Sequence, residues 1–216
     1  MYTLVIGNKN YSSWSMRPWL LLRHFGIPFE ERYIPLYQGR HKEDIARVSP
    51  SGKVPCLIDG ETAIWDSLAI CEYLADRHAG LWPADAAARG VARSVCAEMH
   101  SGFTALRSTL CMNIRRRSPR PIPGPEVAAD IDRIIALWSD CRTRFGQGQG
   151  GPYLFGRFSI ADAFYAPVCF RFQTYGVAPG GVAGDYQRDM LQTPALQTLA
   201  QLAEKETERI EMFDAL

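Results

Sequence analysis

Lys53-Val54-Pro55 and, eleven residues on, Asp66-Ser67 are the groups whose types and spacing best suit holding a ligand. Ser49 to Gly60 reads as a loop that enters a short strand through Pro55. A proline at the mouth of a strand removes a ladder donor and often marks a fixed, sometimes cis, peptide. Val54 then carries backbone groups that the sheet need not consume. Ser67 reads as the cap of a helix whose first N–H groups are open to a carboxylate. Extended peptide groups beside a carboxylate site describe a clamp for a peptide-like ligand.

A second set of side chains is basic. Arg107, Arg115, Arg116, Arg117 and Arg120 fall between Glu98 and Glu126, with no acidic residue among them. Arg107 and Arg115 are eight apart and share a face if one helix carries both. The pattern points to an anionic or carboxylate-bearing ligand. A basic helix end that complements the helix dipole is the simpler account of the same residues.

The elements that must position these groups are legible in the pattern. Residues 2–7 read as a strand, 16–25 as a helix with Pro18 in its first turn and Gly26 at its end, and 29–34 as a strand. Residues 41–47 form a short helical turn. Strands at 54–59 and 62–65 flank Asp59-Gly60, a strong hairpin signal, and a helix follows over 67–78. The order is one sheet with helices packed on it. Beyond Gly80 the texture is all-helical: a long helix over 85–113, then 126–145, 160–174, 185–192 and 194–212. Ser118 to Pro125 is a proline-rich loop, and Gly146 to Pro152 is a second break.

Composition narrows the function. The chain has 216 residues, is 47% hydrophobic and carries a formal charge of +1, which suits one or two packed domains and gives no global attraction to nucleic acid. No apolar run approaches the ~18 residues of a membrane span. The N-terminus enters a strand at once, without the shape of a signal peptide. The six cysteines are scattered, with no Cys-x-x-Cys pair, and read as reduced core thiols in a cytoplasmic protein. No ligand pair has zinc spacing, so no metal is expected.

Three motifs in this order resemble the cytosolic glutathione transferase family over nearly the whole chain: Tyr11 to Pro18, Lys53-Val54-Pro55 with Asp66-Ser67, and Phe158-Ser159-Ile160-Ala161-Asp162. The resemblance implies an α/β thioredoxin-like N-terminal domain over residues 1–79, a linker at 80–86 and an all-α C-terminal domain over 87–216. Phe158 to Asp162 is similar to the family's capping box, a folding element. Tyr11 to Arg17 is similar to the serine motif of zeta-type members, with Trp14 and Met16 as departures, and it places Ser12 at the catalytic position.

By that resemblance Ser12 donates to the sulfur of glutathione, the co-substrate; Tyr11, Ser13 and Ser15 are the alternative hydroxyls. Val54 pairs with the cysteinyl backbone, and a cis Pro55 holds it outward. Ser67 holds the γ-glutamyl carboxylate, Asp66 orients the amine, and Lys53 or His41 meets the glycyl carboxylate. Tyr11, Trp14, Met112 and Phe170 are candidates for the apolar wall beside a small electrophile. A homodimer is implied, with no nucleic-acid or membrane partner. The expected function is glutathione transferase; the alternatives are a glutathione-dependent isomerase of the maleylacetoacetate type and a non-catalytic binding or regulatory protein on the same fold.

Overall fold

In the computed structural model, which describes residues 1–148 and 150–215, a four-stranded sheet occupies the first third of the chain. Strand β1 (Tyr2–Ile6) leads into helix α1 (Ser13–His24), then β2 (Phe29–Tyr33) and the short α2 (His41–Ala46). Strands β3 (Cys56–Asp59) and β4 (Thr62–Trp65) turn about Asp59-Gly60 as the sequence predicts, and α3 (Ser67–Ala75) closes the unit. The sheet order is β2-β1-β3-β4, with β1 parallel to β2 and antiparallel to β3. A parallel pair needs a crossover, and α1 supplies it.

The rest is helical: α4 (Ala86–Ser101), α5 (Thr104–Thr109), α6 (Pro125–Cys141), α7 (Ile160–Tyr175), α8 (Gly181–Leu191), α9 (Pro194–Glu204) and α10 (Glu211–Asp214). An α/β unit followed by an all-α unit is the expected fold class. Helix α7 is the axle of the second part. All of it except Gln173 is buried, it packs on both α1 and α4, and its Tyr165 hydroxyl donates to the Val95 carbonyl of α4 at 3.1 Å. One apolar cluster therefore runs without a break from Leu4 and Leu20 to Phe164 and Trp138. Among the described residues no helix is long and apolar enough to cross a membrane.

The structure corrects four readings. The helix expected over 16–25 begins at Ser13, because Ser12 caps it; Pro18 therefore lies in its second turn. The helix expected over 85–113 ends at Ser101. At Gly102 a Cβ would stand 2.8 Å from the Glu98 carbonyl oxygen, and Phe103 then takes a left-handed φ of 56°. The chain resumes as α5 on a new axis, so Arg107 and Arg115 share no helix face. The stretch 194–212 divides likewise into α9 and α10. The break at Gly146 to Pro152 includes Gln149, which lies outside the described residues.

The capping box forms as expected. The Asp162 carboxylate accepts the Ser159 N–H at 2.9 Å, the Ser159 hydroxyl at 3.0 Å and the Leu154 N–H at 3.0 Å. Burial nonetheless raises its pKa to about 6, against the lowering effect of those donors. Asp162→Ala leaves two buried N–H groups unmatched, at ~1–3 kcal/mol each, so it should cost about 2–6 kcal/mol in urea denaturation. A raised carboxyl pKa means that the native state holds the proton more firmly than the unfolded chain. Stability relative to Asp162→Asn should therefore fall as pH rises through about 6, and paired urea midpoints at pH 4.5 and 7.5 read the change.

Candidate functional site

A cleft of about 670 Å³ opens between the α/β unit and the helices. Tyr11, Ser12 and Trp14 line one side, Lys53 and Val54 lie on a second, and Arg107 and Arg171 form the helical wall. Ser12 is the N-cap of α1, so the helix N-terminus faces this space. Its hydroxyl oxygen accepts the Ser15 N–H at 3.3 Å and lies 2.8 Å from the Ser15 hydroxyl, to which it donates. Ser15 is buried behind it and also accepts the Gly7 N–H at 3.2 Å. Hydroxyl protons rotate, so either serine of the pair can donate to the other.

The neighbouring hydroxyls are engaged elsewhere. Tyr11 donates to Asp214 Oδ1 at 2.9 Å, accepts from Arg115 Nη2 at 3.0 Å and has its ring against Phe213. The Ser13 hydroxyl accepts from Arg171 Nη2 at 3.3 Å. The structure thus sorts four candidate oxygens by what already holds them.

The Val54–Pro55 peptide is cis. The sheet ladder begins at Cys56, so it does not take up the Val54 peptide groups, and Val54 lines the cleft. Lys53 is exposed at the rim, and His41 lies against Tyr37 with its Nδ1 3.3 Å from the Gln38 carbonyl oxygen. Met112 lines the cleft as expected; Phe170 is instead core.

Ser67 is not the cap of α3. Asp66 takes that place, its carboxylate accepting the Leu68 N–H at 2.8 Å. Asp66 has a φ of 72°, a conformation that side chains seldom adopt and that persists only when the surroundings enforce it. Here the second anchor is His100 of α4, whose Nε2 lies 2.8 Å from Asp66 Oδ2. The Ser67 hydroxyl turns inward and accepts from Arg17 Nη1 at 3.1 Å. Neither Ser67 nor Asp66 lines the cleft directly.

Sequence reasoning missed Arg17, Arg171 and His100. Arg17 is buried, with its guanidinium 4.1 Å from the Trp14 ring centroid and 4.4 Å from that of Phe164. Burial lowers its pKa to about 9, helped by Arg107 and Arg171. The signal that could have found it is its place inside the Tyr11 to Pro18 motif. Arg115 and Arg116, read from sequence as a basic helix end or alternatively as anion ligands, instead hold the C-terminal segment through the carbonyls of Glu206, Glu208 and Asp214.

Comparison with known proteins matches residues 11–77 to the N-terminal domain model of glutathione S-transferases and residues 124–197 to their C-terminal domain model, together about two thirds of the chain. Glutathione S-transferase Z2 of Arabidopsis thaliana is 29% identical over 167 residues, 74% of each chain. A stringent starvation protein A homologue of Haemophilus ducreyi is 24% identical over 169 residues, 76% of this chain and 72% of its own. Among solved structures, a Burkholderia glutathione transferase homologue with bound glutathione superposes with a TM-score of 0.70 at 22% identity, covering 95% of this chain and 98% of its own.

The Asp66–His100 contact joins α3 to α4 and is partly exposed. A double-mutant cycle with Asp66→Ala and His100→Ala should give a coupling of about 0.5–1 kcal/mol in urea denaturation, diminishing in high salt.

Proposed function

Because this chain belongs to the cytosolic glutathione S-transferase family, we propose that it ionises the thiol of glutathione beside Ser12 and directs the thiolate at a small electrophile in the same cleft. The carrying observation is the Ser12–Ser15 pair at the N-terminus of α1, 2.8 Å apart with Ser12 alone facing the cleft. When a sulfur anion arrives, Ser12 turns its proton to the sulfur and accepts from Ser15 instead. Tyr11 gives its proton to Asp214, which favours over it Ser12, whose proton the Ser15 hydroxyl can release.

The energetics are adequate. Lowering a thiol pKa of ~8.5 by ~2 units requires about 2.7 kcal/mol. A hydrogen bond to a charged acceptor contributes ~1.5–3 kcal/mol, and a helix N-terminus in a partly buried site up to ~2 kcal/mol. No metal is needed for that sum.

In this reading residues 1–79 hold glutathione and residues 87–216 hold the electrophile, across the 80–86 linker. The cysteinyl backbone pairs with Val54 beside the cis Pro55, in the manner of an added strand. The first N–H groups of α3, at Ser67, receive the γ-glutamyl carboxylate, while Asp66 orients the amine and Lys53, with His41 beside it, meets the glycyl carboxylate. A two-fold dimer and a cytoplasmic setting belong to the same reading. Holding both reactants in one cleft supplies much of the rate.

The likeness of Tyr11 to Arg17 to the zeta-type motif supports a second reading, isomerisation, in which glutathione adds and leaves again. Mass balance separates the two, since an isomerase leaves total glutathione unchanged.

Ser12→Ala should lower kcat/KM with an aryl halide by about ten- to a hundredfold at pH 6.5, and raise the apparent pKa of the pH profile by about 1–2 units. Full activity in that variant would move the role to Tyr11. A melting temperature unmoved by millimolar glutathione would favour a non-catalytic protein on this fold.

A further inference from the structure

The lining of the cleft is one-signed. Its charged side chains are Lys42, Lys53, Arg107 and Arg171, and no aspartate or glutamate lines it among the described residues. This is a local asymmetry, because the whole chain carries only +1. The two lysines lie on the α/β wall, where the reading above puts glutathione. The two arginines stand on the opposite wall, where it puts the second reactant.

Arg171 is buried in α7, yet it reaches the cleft. Its Nε donates to the Leu110 carbonyl at 2.8 Å and its Nη2 to the Ser13 hydroxyl at 3.3 Å, which fixes the plane of the guanidinium. Arg107 is held through Nη1 by the carbonyls of Gly102, at 3.0 Å, and His100, at 3.3 Å, and lies 4.7 Å from the Trp14 ring centroid. Arg17 adds a third cation behind Trp14. Among the described residues no carboxylate stands within 4.0 Å of any of the three. Buried arginines are ordinarily paired. Arg17 and Arg171 are buried and Arg107 is half-buried; burial lowers the pKa of all three, to about 9 at Arg17 and about 10 at Arg171, and Arg107 lowers those two further.

We propose that Arg171 and Arg107 form an oxyanion clamp for the second substrate, which selects electrophiles that carry a carboxylate. The inference rests on the transferase reading. Arg171 is thereby a specificity residue for the second substrate. Arg171 also touches Ser13, the residue next to Ser12, so an electrophile anchored there lies beside the sulfur. Its guanidinium fork suits a carboxylate better than an ammonium would.

The test uses 4-chloro-3,5-dinitrobenzoate and its methyl ester, which share one reacting centre. The thiolate sulfur bonds to the chlorine-bearing carbon, chloride leaves with the bonding pair, and the thiol proton passes to solvent. The wild type should favour the benzoate over the ester in kcat/KM by about ten- to a hundredfold, a preference that shrinks in high salt. Arg107→Met and Arg171→Lys should each cut that ratio about tenfold or more. A wild type without the preference would overturn the proposal. So would variants that raise the KM for glutathione and leave the ratio alone, because the arginines would then serve glutathione itself.

A second arm needs no turnover. Calorimetric titration with 3,5-dinitrobenzoate should show binding about tenfold or more tighter than with its methyl ester, and Arg107→Met should remove the difference. If the wild type turns over neither chloride, the transferase reading fails and this arm still decides the clamp. Equal affinities for acid and ester would end it.

Discussion

The fold is organised around one buried charge, that of Arg17. Bringing a cation out of water costs several kcal/mol even after relaxation, and no carboxylate of the described residues stands within ion-pair distance to offset it. What surrounds the guanidinium instead is two aromatic faces, Trp14 and Phe164, and one hydroxyl, Ser67. Those three partners belong to α1, α7 and α3. The charge therefore fixes the helix capped by Ser12, the helix capped by Asp66 and the axle of the helical unit against one another. Cation–π contacts gain strength where water is excluded, which is the environment that α7 creates.

This constraint also explains which residue caps α3. A serine and an aspartate are comparable N-caps, so local preference alone does not choose between Asp66 and Ser67. Tertiary context chooses. The buried Arg17 takes the Ser67 hydroxyl as its acceptor, and His100 approaches from α4 and takes the Asp66 carboxylate. Asp66 holds a φ of 72° between those two contacts and its own bond to the Leu68 N–H.

Much of this was legible in residue order, and the illegible part has a common cause. Asp59-Gly60 announces its hairpin because the turn needs those conformations locally. Ser159 and Asp162 announce their box because both partners lie within one turn. The break after Ser101 gives a weaker signal: Gly102 sits in an apolar-periodic stretch that a helix tolerates, and the close approach to the Glu98 carbonyl appears only in three dimensions. Arg17 and Arg171 are the harder case. Arginine is usually exposed, and its burial is decided by which helices pack over it.

Helix α7 shows how the chain reconciles buried charge with function. Its only ionic side chains are Asp162, near its start, and Arg171, in the last third. Asp162 sits in the first turn, where the helix dipole favours a negative charge, whereas Arg171 lies short of the last turn and is held by its own hydrogen bonds. The Asp162 carboxylate is filled by donors from Leu154 and Ser159, so that end is closed and structural. The Arg171 guanidinium spends Nε and Nη2 on Leu110 and Ser13 and borders the cleft, so that end is open. The same apolar burial that requires Asp162 to be fully satisfied strengthens whatever anion meets Arg171, because both lie in the low-dielectric interior that α7 defines. Stability and recognition are thus properties of the two ends of one helix, and the residues between them, from Ala163 to Phe170, are the apolar insulation that separates the two charges.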